Sequence, residues 1–184
     1  QFYQTRPTGD LMSRLVNDVT ALQGDPEMAA VYAEELRAFT EALAKNGKPD
    51  EAGPALDRFQ AELERQRARN PDEPNLPLNQ LELLKSRERL TRRQNQPADL
   101  AAATTAFNAE LDRLSIERPD DPRILRLQFE RLVDQMVTAG RSGVTAASLD
   151  ACKQSVAVGR RWRAAAPRDQ MAARQLALQL GFLA

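Results

Sequence analysis

Apolar residues recur along this chain at the spacing of a helix, in short blocks parted by polar turns. Met28, Val31, Tyr32, Leu36, Phe39 and Leu43 form one series, and Ile124, Leu125, Phe129, Leu132, Val133 and Met136 form another. Shorter series follow each of these: Leu56, Phe59 and Leu63 in one place, Leu149, Cys152, Val156 and Trp162 in another. The turns carry helix punctuation. Asp25-Pro26 and Asp121-Pro122 put a capping carboxylate before a proline whose fixed φ suits the first helical position, and Glu73-Pro74 is a weaker version. Asn46-Gly47, Gln94-Asn95 and Gly140 are stop signals. Second helices are expected to start at Asp50, Asp99 and Thr145, with Pro54 in a first turn where its missing N–H costs little. The pattern predicts an all-α chain.

The punctuation is periodic. Pro119-Asp120-Asp121-Pro122 repeats Pro71-Asp72-Glu73-Pro74 after 48 residues, and further steps of 48 reach Pro167 and Pro26. Residues 23–70, 71–118 and 119–166 superpose without gaps. Leu36, Leu84, Leu132 and Leu180 coincide, as do Glu34, Glu82 and Glu130. Phe59 falls on Phe107, Leu63 on Leu111, and Arg65 on Arg113 and Arg161. The first two copies agree at ten of 48 positions, several times what unrelated stretches share. A fixed period of this length marks a repeat architecture, in which each helix pair buries its apolar stripe only against its neighbours.

The unit resembles a tetratricopeptide repeat. Gly47-Lys48-Pro49-Asp50-Glu51-Ala52 looks like that family's second-helix start, and Arg69-Asn70-Pro71-Asp72 and Arg118-Pro119-Asp120-Asp121 look like its inter-repeat turns. The period is 48 rather than 34, and the family's Trp-Leu-Gly and Tyr signature is absent. The resemblance implies an α-solenoid of antiparallel helix pairs with about seven to eight helices. Its segments would be a part-repeat at 1–22, three units at 23–70, 71–118 and 119–166, and a single helix at 167–184. It also implies a protein–protein interaction scaffold that holds a peptide or partner helix in a concave groove.

Residues 1–22 admit two readings. Thr8-Gly9-Asp10-Leu11-Met12-Ser13-Arg14-Leu15-Val16-Asn17-Asp18-Val19 resembles the first intracellular loop of ABC exporters, which would make this a transport-associated segment. The resemblance carries over only to Gly9, Ser13, Arg14 and Asp18, and the phosphate loop and signature sequence of that family are absent. Alternatively, Leu11, Leu15, Val16, Val19 and Leu22 make the apolar face of a half-repeat, with Leu11 in register with Phe59 and Phe107.

Composition narrows the chemistry. The 184 residues hold 26 Lys+Arg and 26 Asp+Glu, so no global field favours nucleic acid or anionic lipid. Aromatics at 5% and a mean hydropathy of −0.55 fit a thin-cored helical stack. One cysteine excludes an intrachain disulfide, so the fold needs no oxidising compartment and a cytoplasmic setting is favoured. No apolar run is long enough to span a membrane. Histidine is absent, Cys152 lies on an apolar stripe, and Gly140-Arg141-Ser142-Gly143 lacks the spacing of a nucleophile elbow. No enzyme and no cofactor are expected.

The candidate partner-binding residues are charged. Lys85, Arg87, Arg89, Arg92 and Arg93 crowd the end of one helix. Cations there complement the negative helix terminus, and the alternative is an anion- or nucleic-acid-binding surface. Glu34, Glu82 and Glu130 would either line one groove or pair with Arg37, Arg87 and similar neighbours on their own helix. Trp162, among Arg160, Arg161 and Arg163, reads as core. The last helix is apolar on several sides: Leu176, Leu180 and Leu183 are expected to face the preceding helix, leaving Leu178 and Phe182 uncovered. Such a face predicts either a piece of a longer array or self-association through this helix.

Overall fold

The computed structural model describes residues 49–141 and 143–183. They form six α-helices, with no strand among them: α1 (Pro49–Arg69), α2 (Leu76–Gln94), α3 (Pro97–Glu117), α4 (Pro122–Ala139), α5 (Ala146–Ala165) and α6 (Gln170–Leu183). The segment 1–22 and the first helix expected in 23–70 lie outside the described residues. The chain divides into two compact units, Gln1–Phe107 and Asn108–Ala184, with the division inside α3.

Helix boundaries follow the punctuation and its period. Both ends of α3 lie 48 residues after those of α1, α5 ends 48 after α3, and α6 begins 48 after α4. Asp121 caps α4 by accepting the Arg123 N–H at 2.9 Å, with Pro122 in the first turn. Thr145 and Ser148 close a capping box on α5: each side-chain oxygen accepts the other's backbone N–H, at 3.0 and 2.9 Å. Asn95 ends α2 in the left-handed conformation, φ 56°. Two starts differ from expectation. α2 begins at Leu76 rather than beside Pro74, with Pro77 in the first-turn place, and Glu73 accepts the Asn75 N–H only at a long 3.5 Å. α1 begins at Pro49, so Pro54 stands in its second turn and costs the helix one bond.

In the first unit α2 packs against α1. Leu76, Leu83 and Leu90, seven apart, lie along one side of α2 and meet Ala52, Ala55, Leu56, Phe59 and Leu63 of α1. The opposite side of α2 is also buried, along Leu78, Leu81, Lys85 and Glu88. A helix hidden on two sides is an interior helix of its unit. Leu84, which shares a register position with Leu132, is half-buried, whereas Leu132 is buried.

In the second unit α5 packs against both α4 and α6. Leu125 and Phe129 of α4, Trp162 of α5 and Ala172 of α6 form one core, with the Phe129 and Trp162 ring centroids 5.9 Å apart and tilted by 54°. The buried face of α5 is mostly small: Ser148, Ala151, Cys152, Ser155, Val156, Gly159 and Trp162. Leu149, expected on this face, is 43% exposed, since the capping box turns Ser148 inward in its place. At Gly159 the neighbours come close. A Cβ there would stand 3.1 Å from Phe129 Cε2 and 3.3 Å from Leu176 Cδ1.

The register also organises ion pairs. Arg65 meets Glu62 at 3.0 Å, and the same pair recurs 48 residues on as Arg113 with Glu110 at 2.6 Å. The third copy has Val158 where the glutamate stood. Arg161 therefore reaches back to the turn before α4, donating to the Pro119 carbonyl at 2.6 Å and to Asp120 at 3.1 Å.

Alanine in place of a helical glycine usually adds about 1 kcal/mol of stability. Gly181 has nothing within 4 Å of its would-be Cβ, so Gly181→Ala should take that gain. Gly159→Ala should instead lower the melting temperature, because the Phe129 ring is held by Trp162 and overpacking costs about 1–3 kcal/mol. Equal gains for both variants in thermal melts would refute the close approach.

Candidate partner-binding site

The run Lys85–Arg93 covers more than two turns of α2, and the helix sends its cations in different directions. Lys85 and Glu88 lie on the second buried side, and the glutamate is only 1% exposed. The Lys85 Nζ stands 3.2 Å from Glu88 Oε2 and 4.8 Å from the centre of the Phe107 ring. Arg92, one turn further, donates to Glu88 Oε1. Burial alone would push the Glu88 carboxyl up; the Lys85 ammonium and the Arg92 guanidinium outweigh it and hold the group below the usual glutamate range. The carboxylate is thus charged, buried and held by two cations.

Arg87 points to α1. One guanidinium nitrogen donates to Asp57 Oδ1 and to Gln60 Oε1, each at 2.8 Å. This corrects the expected pairing of Arg87 with Glu82 on the same helix: the tie runs between helices. Glu82 itself is buried, Arg89 is half-buried, and Arg93 is exposed. Glu130 is half-buried on α4, in the other unit, and Glu34 lies outside the described residues. A docking anion would therefore have to displace Glu88 from Lys85 and Arg92, or Asp57 from Arg87. Among these residues Arg93 and the outer half of Arg92 face solvent.

The second place of interest is α6. Ala172 and Gln179 are buried and Leu176 is half-buried, so these set the packed face. Leu180, expected there, is 41% exposed. The reason is a polar contact. Gln179 Oε1 lies 3.6 Å from the Cys152 thiol and 3.4 Å from Ser155 Oγ, whose hydroxyl donates to the Cys152 carbonyl at 2.8 Å. A buried amide with partners displaces a leucine from the seam. Met171, Arg174, Leu178 and Phe182 are exposed along a neighbouring row. Sequence reasoning missed both Gln179 and the Asp57–Arg87 tie. Gln179 carries a signal in hindsight, since it is one turn from Leu176 and two from Ala172, whereas nothing in spacing links Asp57 to Arg87.

With this geometry in place, comparison with known proteins adds no relative: the chain matches no family model, no curated protein and no solved structure. No described helix is long and apolar enough to cross a membrane.

Two outcomes follow. Glu88→Gln removes the buried carboxylate that Lys85 and Arg92 both hold and should cost about 3–5 kcal/mol. Because the folded-state pKa of Glu88 is lowered, its contribution is fully present above the unfolded value of about 4.3 and is lost as pH falls through the folded value. Urea melts should therefore show wild type losing more stability than Glu88→Gln on acidification below about pH 4; equal stability at neutral pH would refute the buried pair. Cys152, buried against Gln179, should label with a thiol reagent far more slowly in the native chain than in denaturant, and Gln179→Ala should speed the native reaction. Immediate labelling of the native chain contradicts this packing.

Proposed function

We propose that this chain is a helical-repeat scaffold of antiparallel pairs that binds a peptide or partner helix on the faces its own packing leaves open. The observation that carries the reading is the recurrence of structure with the sequence period. α1 and α3 share both boundaries at a step of 48, and Phe59 with Phe107 and Leu63 with Leu111 are buried at matching positions. The Glu62–Arg65 and Glu110–Arg113 pairs recur in the same places. Stacked repeats of this kind offer extended surfaces rather than a single reactive pocket, so their common use is to hold other chains. The proposal assigns no catalytic step and no cofactor.

The cation run is not the docking surface in this reading, since Lys85 and Arg87 serve internal partners. Panning an unbiased peptide library on the 184-residue chain should enrich specific binders. Hydrogen exchange with a binder present should then show protection on helices from more than one repeat unit. Affinity should fall only modestly with salt. A steep salt dependence abolished by Arg93→Glu would favour an anion surface instead, and failure to enrich any binder would sink the scaffold reading.

A further inference from the structure

Met171, Arg174, Leu178 and Phe182 follow one another on α6 at i, i+3, i+7 and i+11, a spacing that stacks side chains into one row along a helix. All four are exposed, Met171 to 55%, Leu178 to 51% and Phe182 to 69%. The helix is anchored by another side, through Ala172, Leu176 and Gln179, so the row is open surface on a fixed support. Its charge says what should cover it. Residues 146–184 contain six cations, Lys153, Arg160, Arg161, Arg163, Arg168 and Arg174, against two carboxylates, Asp150 and Asp169, and of the six Arg161 is held by Asp120 outside this stretch. Of the two, Asp169 is occupied at the start of α6, where its Oδ1 accepts the N–H groups of Met171 and Ala172 at 2.8 and 3.2 Å. α6 itself holds no acidic residue, and none of the described residues pairs with Arg174.

We propose that this row docks an acidic amphipathic helix from a partner protein. The partner's apolar side chains cover Met171, Leu178 and Phe182, and a carboxylate on the same helix meets Arg174 within the seam. The inference rests on the scaffold reading and gives the partner its chemistry. A second copy of this helix is a poorer occupant. Two α6 rows face to face bring two Arg174 side chains into one apolar seam with no carboxylate on either helix, and the desolvation of both stays uncompensated. An anionic membrane surface also fits less well. Interfacial helices set many cations along a separate polar face, whereas α6 has a single cation, lodged between apolar side chains.

The test is a displayed library of helical peptides with leucines fixed at i, i+4, i+7 and i+11 and the flanking positions varied among Glu, Lys, Gln and Ser. Panned on the full chain, it should enrich Glu over Lys at one flanking position. Selected peptides should lose about tenfold in affinity against Phe182→Asp and against Arg174→Glu, as removal of an anchor does. The Lys version of the same peptide should regain binding to Arg174→Glu. Both variants alter exposed side chains, and circular dichroism melts verify that they fold. Enrichment of Lys, or no charge preference, overturns the proposal. Binders from this and the unbiased library that ignore both variants overturn it while leaving the scaffold reading intact; no binder from either library removes both. Concentration-dependent sedimentation that Phe182→Asp abolishes would hand the row to a second copy. Loss by Phe182→Asp of binding to phosphatidylserine–phosphatidylcholine vesicles would hand it to a membrane. Either result overturns the partner-helix assignment.

Discussion

Everything in the first unit depends on α2 being buried along two opposite sides. A surface helix needs one partner, but a helix with Leu76, Leu83 and Leu90 on one side and Leu78 and Leu81 on the other needs two. That requirement explains why a charged run can sit at the heart of a unit. The second side continues from Leu81 into Lys85 and Glu88, so the ammonium and carboxylate enter the interior together, with the Phe107 ring against the cation. Neither could be buried alone, since an unpaired interior charge costs several kcal/mol. The pair is a condition of the burial rather than a source of surplus stability.

Much of this fold was legible in the residues. Asp121-Pro122, Thr145, Asn95 and Gly140 mark helix ends by local chemistry, and local chemistry decides them in the structure too. Phe59 and Phe107 are buried as their common register position implies. The failures share a cause. Leu149 and Leu180 were expected inside because they are large and apolar, yet Ser148 and Gln179 occupy those places. Each polar side chain finds hydrogen-bond partners that spacing along one helix does not reveal: Thr145 for the serine, Ser155 and Cys152 for the glutamine.

The charged candidates teach the same lesson about direction. Five cations in nine residues look like a patch, but at 100° per residue a helix distributes them around its axis. Lys85 turns inward, Arg87 turns to α1, and Arg93 turns to water. On α6 the opposite holds: four residues scattered over a dozen positions come into one line. Proximity in sequence and proximity on a surface are different quantities, and partner surfaces are built from the second.

Arg161 shows what one altered position does along a 48-residue sequence period. Where a glutamate stands one turn earlier, the arginine at this position closes a local pair within its own helix. With valine at 158, the same arginine is released and clasps the backbone of the turn forty-two residues before it. Valine in place of a charged neighbour thus goes with a long-range contact of the arginine instead of a short-range one. At a step of 48 in the sequence, the residue three positions earlier decides whether the arginine serves its own helix or fastens the turn before α4.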